Sequence, residues 1–186
     1  MKNPRLVRWI FAAAILLITA FLAAQTLTLE IGLAKYNSND PLSAMPWLHA
    51  AMVMNPYGNR ARASIATLLI HEGKFDEAER LIIINLKKRP HVAQNHNIMG
   101  IIYESRMNFS KALEEYETAV KLDPEYAEAL FNIGFLQYKT GRIEDSRATL
   151  EKAVQLAPEL AASRDKILKQ IQPPPQPQPF TPAPPQ

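Results

Sequence analysis

The chain has no cysteine, which excludes disulfides and thiol chemistry and leaves the compartment open. Glycine is scarce within the segments rich in helix formers, and no stretch alternates apolar and polar side chains long enough to argue for a sheet. There is no glycine-rich phosphate loop and no nucleophile elbow. Excess charge is missing as well. The formal net charge of +3 comes entirely from Lys2, Arg5 and Arg8, because residues 9–186 balance 18 basic against 18 acidic side chains. The pI of about 9.1 therefore describes the first turns and not a basic surface. Nucleic-acid binding, which needs Lys and Arg clustered on one face, is not expected. His49, His71, His91 and His96 show no paired metal-ligand spacing, and Glu114, Glu115 and Glu117 read as a solvated helix face with no partner carboxylate opposite. No catalytic residue, metal or cofactor is expected.

What is present is a period. Pro56, Pro90, Pro124 and Pro158 stand 34 residues apart. The position 24 before each proline reads Gly32, Ala66, Gly100, Gly134, and the position 12 before reads Ala44, Ala78, Ala112, Ser146. These are small residues where helices must touch. Large apolar side chains recur in the same register as Ile31, Ile65, Met99, Ile133 and as Leu48, Ile82, Tyr116, Leu150, which is core spacing on amphipathic helices. Each proline then stops a second helix, since it has no N–H to donate and its ring clashes one turn back.

These residues resemble the tetratricopeptide repeat (TPR). Residues 93–126 fit best, with His96, Met99-Gly100, Tyr103, Ala112, Tyr116, Ala119 and Pro124. Residues 127–160 follow with Leu130, Ile133-Gly134, Gly141, Ala153 and Pro158. Residues 59–92 fit through Ile65-Ala66, Gly73, Phe75, Ala78, Ile82 and Pro90, with Asn85 where Ala is usual. Residues 25–58 keep Gly32, Ala44, Ala51 and Pro56, and Pro46 inside the second helix predicts a late start near Ser43 or a kink. The resemblance implies an all-α, right-handed superhelical stack of about four helix-turn-helix repeats. Residues 161–172 are expected as a C-terminal capping helix, and Pro173–Gln186, with eight prolines and no charge, as a disordered tail.

Trp9 to Leu29 is 21 residues without a charge, enough at ~1.5 Å per residue to cross a ~30 Å hydrocarbon core. A cleaved signal peptide is the rival, but cleavage after Ala24 or Ala23 would put Leu22 or Phe21 where a small residue is needed. The expectation is one transmembrane helix, with residues 1–8 in the cytoplasm and the repeats on the extracytoplasmic side, which in a bacterium is the periplasm, because Lys2, Arg5 and Arg8 precede the span and Lys35 is the next basic residue. No Gly, Pro or turn cluster separates the span from the first repeat, so one continuous helix is expected.

The resemblance also implies a concave groove lined by the first helix of each repeat. Carried onto this chain, its partner-facing positions give Arg60, Thr67 and His71 in the second repeat, Gln94, Asn97 and Ile101 in the third, and Phe131, Phe135 and Tyr138 in the fourth. Ala63 and Thr67 stand where a carboxylate-gripping subclass needs Lys and Asn, which speaks against a receptor for a partner's C-terminus. Two readings follow. One is a membrane-anchored adaptor that takes a peptide or helix of a partner protein into the groove to recruit or assemble an envelope complex. The other is a permanent structural or assembly subunit docked through its anchor and convex face.

Overall fold

The structure of the chain is a computed structural model, and it describes residues 4–38 and 40–170. Among these residues there are helices and turns and no strand. The chain divides into two compact units, one ending at Pro124 and the other beginning at Glu125. In the first unit, helix α1 (Pro4–Asn37) is followed by α2 (Pro41–Met54), α3 (Arg60–His71), α4 (Phe75–Lys88), α5 (Ala93–Ser105) and α6 (Phe109–Leu122). In the second, α7 (Ala127–Lys139) pairs with α8 (Ile143–Leu156), a 3-10 turn at Pro158–Leu160 follows, and α9 (Ala161–Gln170) lies in the expected cap. The proline-rich segment 173–186 lies outside the described residues.

The period of 34 becomes geometry at three kinds of point along the hairpins. Small residues on the first helix meet large ones on the second. A Cβ built on Gly32 would come within 2.9 Å of Leu48, one on Gly100 within 2.4 Å of Tyr116, and one on Gly134 within 2.7 Å of Leu150. The mid-repeat Ala44, Ala78, Ala112 and Ser146 are fully buried, and the Ser146 hydroxyl donates to the Gly134 carbonyl at 2.7 Å. At the end of each second helix, the cap residue before the proline donates back to the carbonyl four residues earlier. These pairs are Asn55 to Ala51, Arg89 to Asn85, Asp123 to Ala119 and Ala157 to Ala153. Each cap residue has left helical geometry, as the following proline ring demands.

The third point is the turn between paired helices. Gly73, Met107 and Gly141 occupy the same repeat position and have φ of 75°, 58° and 80°. Their N–H groups and those of the residues after them satisfy the last carbonyls of α3, α5 and α7. Glycine adopts this left-handed conformation without cost, whereas Met107 does so against its Cβ.

α1 is one unbroken helix from the apolar run into the first repeat, as expected from the absence of breakers. The expected late start of α2 is not observed: it begins at Pro41, where Asp40 accepts from the Ser43 N–H at 3.1 Å, and continues through Pro46. Hydrogen bonding from the Ser43 side chain, and then from its N–H, holds the Asp40 carboxyl below its usual range. Pro46 sits little more than one turn into the helix and removes the ladder bond to the Leu42 carbonyl. Leu42 is exposed, so water can serve that carbonyl.

The core of the first unit runs between α1, α3 and α5 on one layer and α2 and α4 on the other. Leu48, Ile65, Leu69, Ile82, Ile98, Met99 and Ile102 form its centre. In the second unit, Leu130, Ile133, Leu136, Leu150, Ala153 and Ile167 are buried.

The close contact and the turn can each be tested by one substitution. Gly100→Ala places a methyl group inside the Tyr116 ring edge and should lower unfolding free energy in urea by ~1–3 kcal/mol. Met107→Gly removes the left-handed strain and raises unfolded-state entropy. The strain of ~1–2 kcal/mol exceeds the entropic cost, so a higher thermal midpoint is expected.

Candidate partner-binding surface

The first unit carries six of the groove residues. Arg60, Thr67 and His71 lie on α3, and Gln94, Asn97 and Ile101 on α5. α1, α3 and α5 enclose a hollow of about 370 Å³ lined by Glu30, Tyr36, Asn37, Arg60, Ser64 and Gln94. Arg60 and Gln94 are thus brought together, and Arg60 is held by Glu30 at 3.1 Å across the α1–α3 seam. Thr67 turns its hydroxyl inward to the Ala63 carbonyl at 3.1 Å. His71 is exposed at the end of α3, and Ile101 is half-buried. Asn97 is only 5% exposed, so its side chain belongs to the interior of the fold more than to an open surface.

Five lining residues, Glu30, Leu33, Ala34, Tyr36 and Asn37, come from α1 and were not among the expected groove positions. The signal was present for Tyr36 and Asn37, which stand 34 residues before Ile70 and His71 and share their repeat positions.

The second unit carries the aromatic set on α7. Phe131, Phe135 and Tyr138 are all half-buried. The Phe135 and Tyr138 rings stack with centroids 6.4 Å apart and planes 22° apart, and the Lys139 ammonium sits 4.6 Å over Phe135. The Tyr138 hydroxyl donates to Gln170 of α9 at 3.3 Å. These rings therefore present one face to their neighbours and retain another for contact.

The departures from the repeat pattern lock together. Arg62 occupies the place filled by His96 and Leu130 in the next repeats, and it is only 5% exposed. Its guanidinium donates to the Gly58 carbonyl at 2.6 Å, to the Pro56 carbonyl and to Asn85 Oδ1 at 3.1 Å. Asn85, equally buried, donates in turn to the Asn59 carbonyl at 3.0 Å and to Asn95 Oδ1 at 3.2 Å. Burial pushes the Arg62 guanidinium down from its ordinary value. The network ties the α2–α3 loop to α4 and α5, which fixes the wall of the hollow. In the following repeat, His96 does comparable work, with Nδ1 2.7 Å from Glu115 on α6 and Nε2 2.8 Å from the Pro90 carbonyl.

Residues 100–141 match the family described as TPR repeat, and residues 127–160 match the one described as Tetratricopeptide repeat. The chain carries tetratricopeptide repeats. It is 26% identical over 177 residues to human Protein O-mannosyl-transferase TMTC1, covering 75% of this chain and 20% of that protein. It is 32% identical over 74 residues to human Tetratricopeptide repeat protein 17, covering 40% of this chain and 6% of that protein. The chain thus spans a fifth or less of these relatives. Among solved structures, a thermophilic TPR protein of Thermus thermophilus superposes with a TM-score of 0.73 at 17% identity, over 79% of this chain and 82% of that one. Pseudomonas aeruginosa pilF superposes with a TM-score of 0.66 at 18% identity, over 81% and 70%. These TPR likenesses establish the fold.

Arg62→Met should cost ~2–4 kcal/mol in chemical denaturation, because the Gly58 carbonyl and Asn85 Oδ1 lose the Arg62 donor and the Pro56 carbonyl is left with Lys88 alone. Adding Asn85→Ala, which restores the family's small residue, should recover part of that loss, and strict additivity would show that the two side chains are not coupled.

Proposed function

We propose that this chain is a membrane-anchored TPR adaptor whose first-helix surfaces hold a peptide or helix of a partner protein, and that it recruits or assembles a protein complex of the cell envelope. The observation that carries the reading is the chemistry gathered on these helices. A polar hollow with Arg60 and Gln94 in the first unit suits a partner's backbone, and the stacked Phe135–Tyr138 pair in the second suits an apolar anchor. The TPR fold supports protein–protein interaction in general. Anchoring rests on α1, whose segment Trp9–Asn37 contains an 18-residue stretch of mean hydropathy 2.2 and is long and apolar enough to cross a bilayer. With the charge pattern around it, the repeats are assigned to the periplasmic side. No transfer chemistry is carried over from the mannosyl-transferase, since only a fifth of its length is matched.

A second reading has its own observation. α2 contains no charged residue, and its outer side exposes Leu42 and Trp47, with Leu42 86% exposed. A helix with this surface suits a permanent docking contact in a membrane complex.

Photo-crosslinkers placed one at a time at Gln94, Leu42 and Trp47 of the full-length chain, expressed in cells, should yield a defined adduct at Gln94. Phe131→Ala, Phe135→Ala and Tyr138→Ala together should cut its yield at least tenfold while helicity stays near that of the parent. Adducts forming instead at Leu42 and Trp47, untouched by the aromatic changes, would transfer the function to α2. Loss of helicity in the triple variant would assign the three rings to packing.

A further inference from the structure

We infer that the membrane-proximal end of the first unit binds the headgroup of an anionic phospholipid, in the pocket between α1, the α2–α3 loop and the end of α4. The inference rests on the reading of α1 as a membrane helix and adds a ligand to it.

Three observations converge. The first is depth. From Trp9 to Ala24 every side chain of α1 is exposed, and packing against the repeats begins at Gln25. The free stretch rises only about 24 Å at ~1.5 Å per residue, short of the ~30 Å hydrocarbon core. A span starting after Arg8 therefore draws the level of Gln25 to Leu29 down to the edge of the bilayer. Whatever packs against α1 at that level is at headgroup depth.

The second is what packs there. Gln25 Nε2 donates to the Met54 carbonyl at 2.6 Å, which puts the end of α2 at this level. A pocket of about 230 Å³ opens beside it, lined by Gln25, Thr26, Asn55, Asn59, Arg60 and Arg89 among others. Amide and hydroxyl groups beside two guanidinium groups suit a phosphodiester with a polar headgroup. Val53 and Tyr57 flank the same end, 76% and 72% exposed, where an apolar side chain and an amphipathic ring find acyl chains and headgroups.

The third is charge. The α2–α3 and α4–α5 loops and the adjoining helix ends carry Arg60, Lys87, Lys88 and Arg89. No acidic residue occurs between Asp40 and Glu72 or between Glu79 and Glu104. Arg60 is answered by Glu30, and Lys88 donates to the Pro56 carbonyl at 3.0 Å with its ammonium 4.7 Å over the Tyr57 ring. Lys87 and Arg89 have no carboxylate within salt-bridge distance among the described residues. The acids Asp40, Glu72, Asp76 and Glu77 lie at the opposite ends of these helices. A chain with balanced charge beyond residue 8 thus turns a basic end toward the bilayer, and a lipid phosphate is the anion continuously present at that depth.

The test uses the full chain in bilayer nanodiscs of phosphatidylcholine mixed with phosphatidylglycerol, with native mass spectrometry reading the lipid retained on the released protein. Phosphatidylglycerol should be enriched over phosphatidylcholine. Arg89→Gln and Lys87→Gln should each reduce the enrichment by about fivefold. Arg80→Gln, about 13 Å farther along α4 from Arg89, should leave it unchanged. Retention of both lipids in proportion to the mixture, or enrichment indifferent to Arg89 and Lys87, overturns the proposal while leaving the anchor intact. Enrichment abolished by millimolar glycerol phosphate in detergent, with that anion retained in the lipid's place, makes the pocket a free-anion site and overturns it as well. Failure of the chain to enter the nanodisc, or its release from membranes by alkaline carbonate, defeats the anchor and the lipid site together.

Discussion

The close approach of a glycine on the first helix to a large side chain on its partner sets the dimensions of three hairpins, α1–α2, α5–α6 and α7–α8. Gly32 against Leu48, Gly100 against Tyr116 and Gly134 against Leu150 leave no room for a single added carbon. Because the helices meet this closely, the mid-repeat Ala44, Ala78, Ala112 and Ser146 must also be small, and they are fully buried. Dense contact along the whole hairpin then offsets the short length of the helices, which alone would be marginal in water. The inter-helix turns and proline stops follow from the same constraint, since a hairpin of fixed width needs its chain reversal at a fixed residue.

Where the sequence departs from the repeat pattern, the fold compensates locally. Asn85 stands in a fully buried small-residue position, and Arg62 stands where the neighbouring repeats have His96 and Leu130. Each would be costly alone. Together they satisfy one another and the carbonyls of Pro56, Gly58 and Asn59. The result is a polar joint in place of an apolar one, and it ties the α2–α3 loop to α4 and α5. Met107 is the uncompensated departure, holding a left-handed turn that Gly73 and Gly141 hold without strain.

The surfaces differ in chemistry. The first-helix side of the first unit is polar and hollowed, the α7 face is aromatic, and α2 is apolar and uncharged on its outer side. Basic side chains collect where the first unit meets the end of the apolar stretch of α1.

The 34-residue spacing determined the helical hairpins, the positions of the small residues and the proline stops, since these follow from local helix geometry repeated in register. The unbroken α1 was legible for a similar reason: nothing between Trp9 and Tyr36 breaks a helix. Of the two expectations for α2, a late start near Ser43 or a kink at Pro46, the late start is not met, because the hydrogen bond of Asp40 to Ser43 and the exposure of Leu42 outweigh a proline placed so near the helix start. Of the candidate surface, the helical positions of Arg60, Gln94 and the α7 aromatics were legible, while the inward turn of Thr67 and the burial of Asn97 were not. The pairing of Arg62 with Asn85, the contribution of α1 to the hollow and the gathering of basic loops beside Gln25 were decided only in three dimensions. Each joins residues some twenty to sixty positions apart, and their meeting depends on how whole hairpins pack, which no periodicity along the chain encodes.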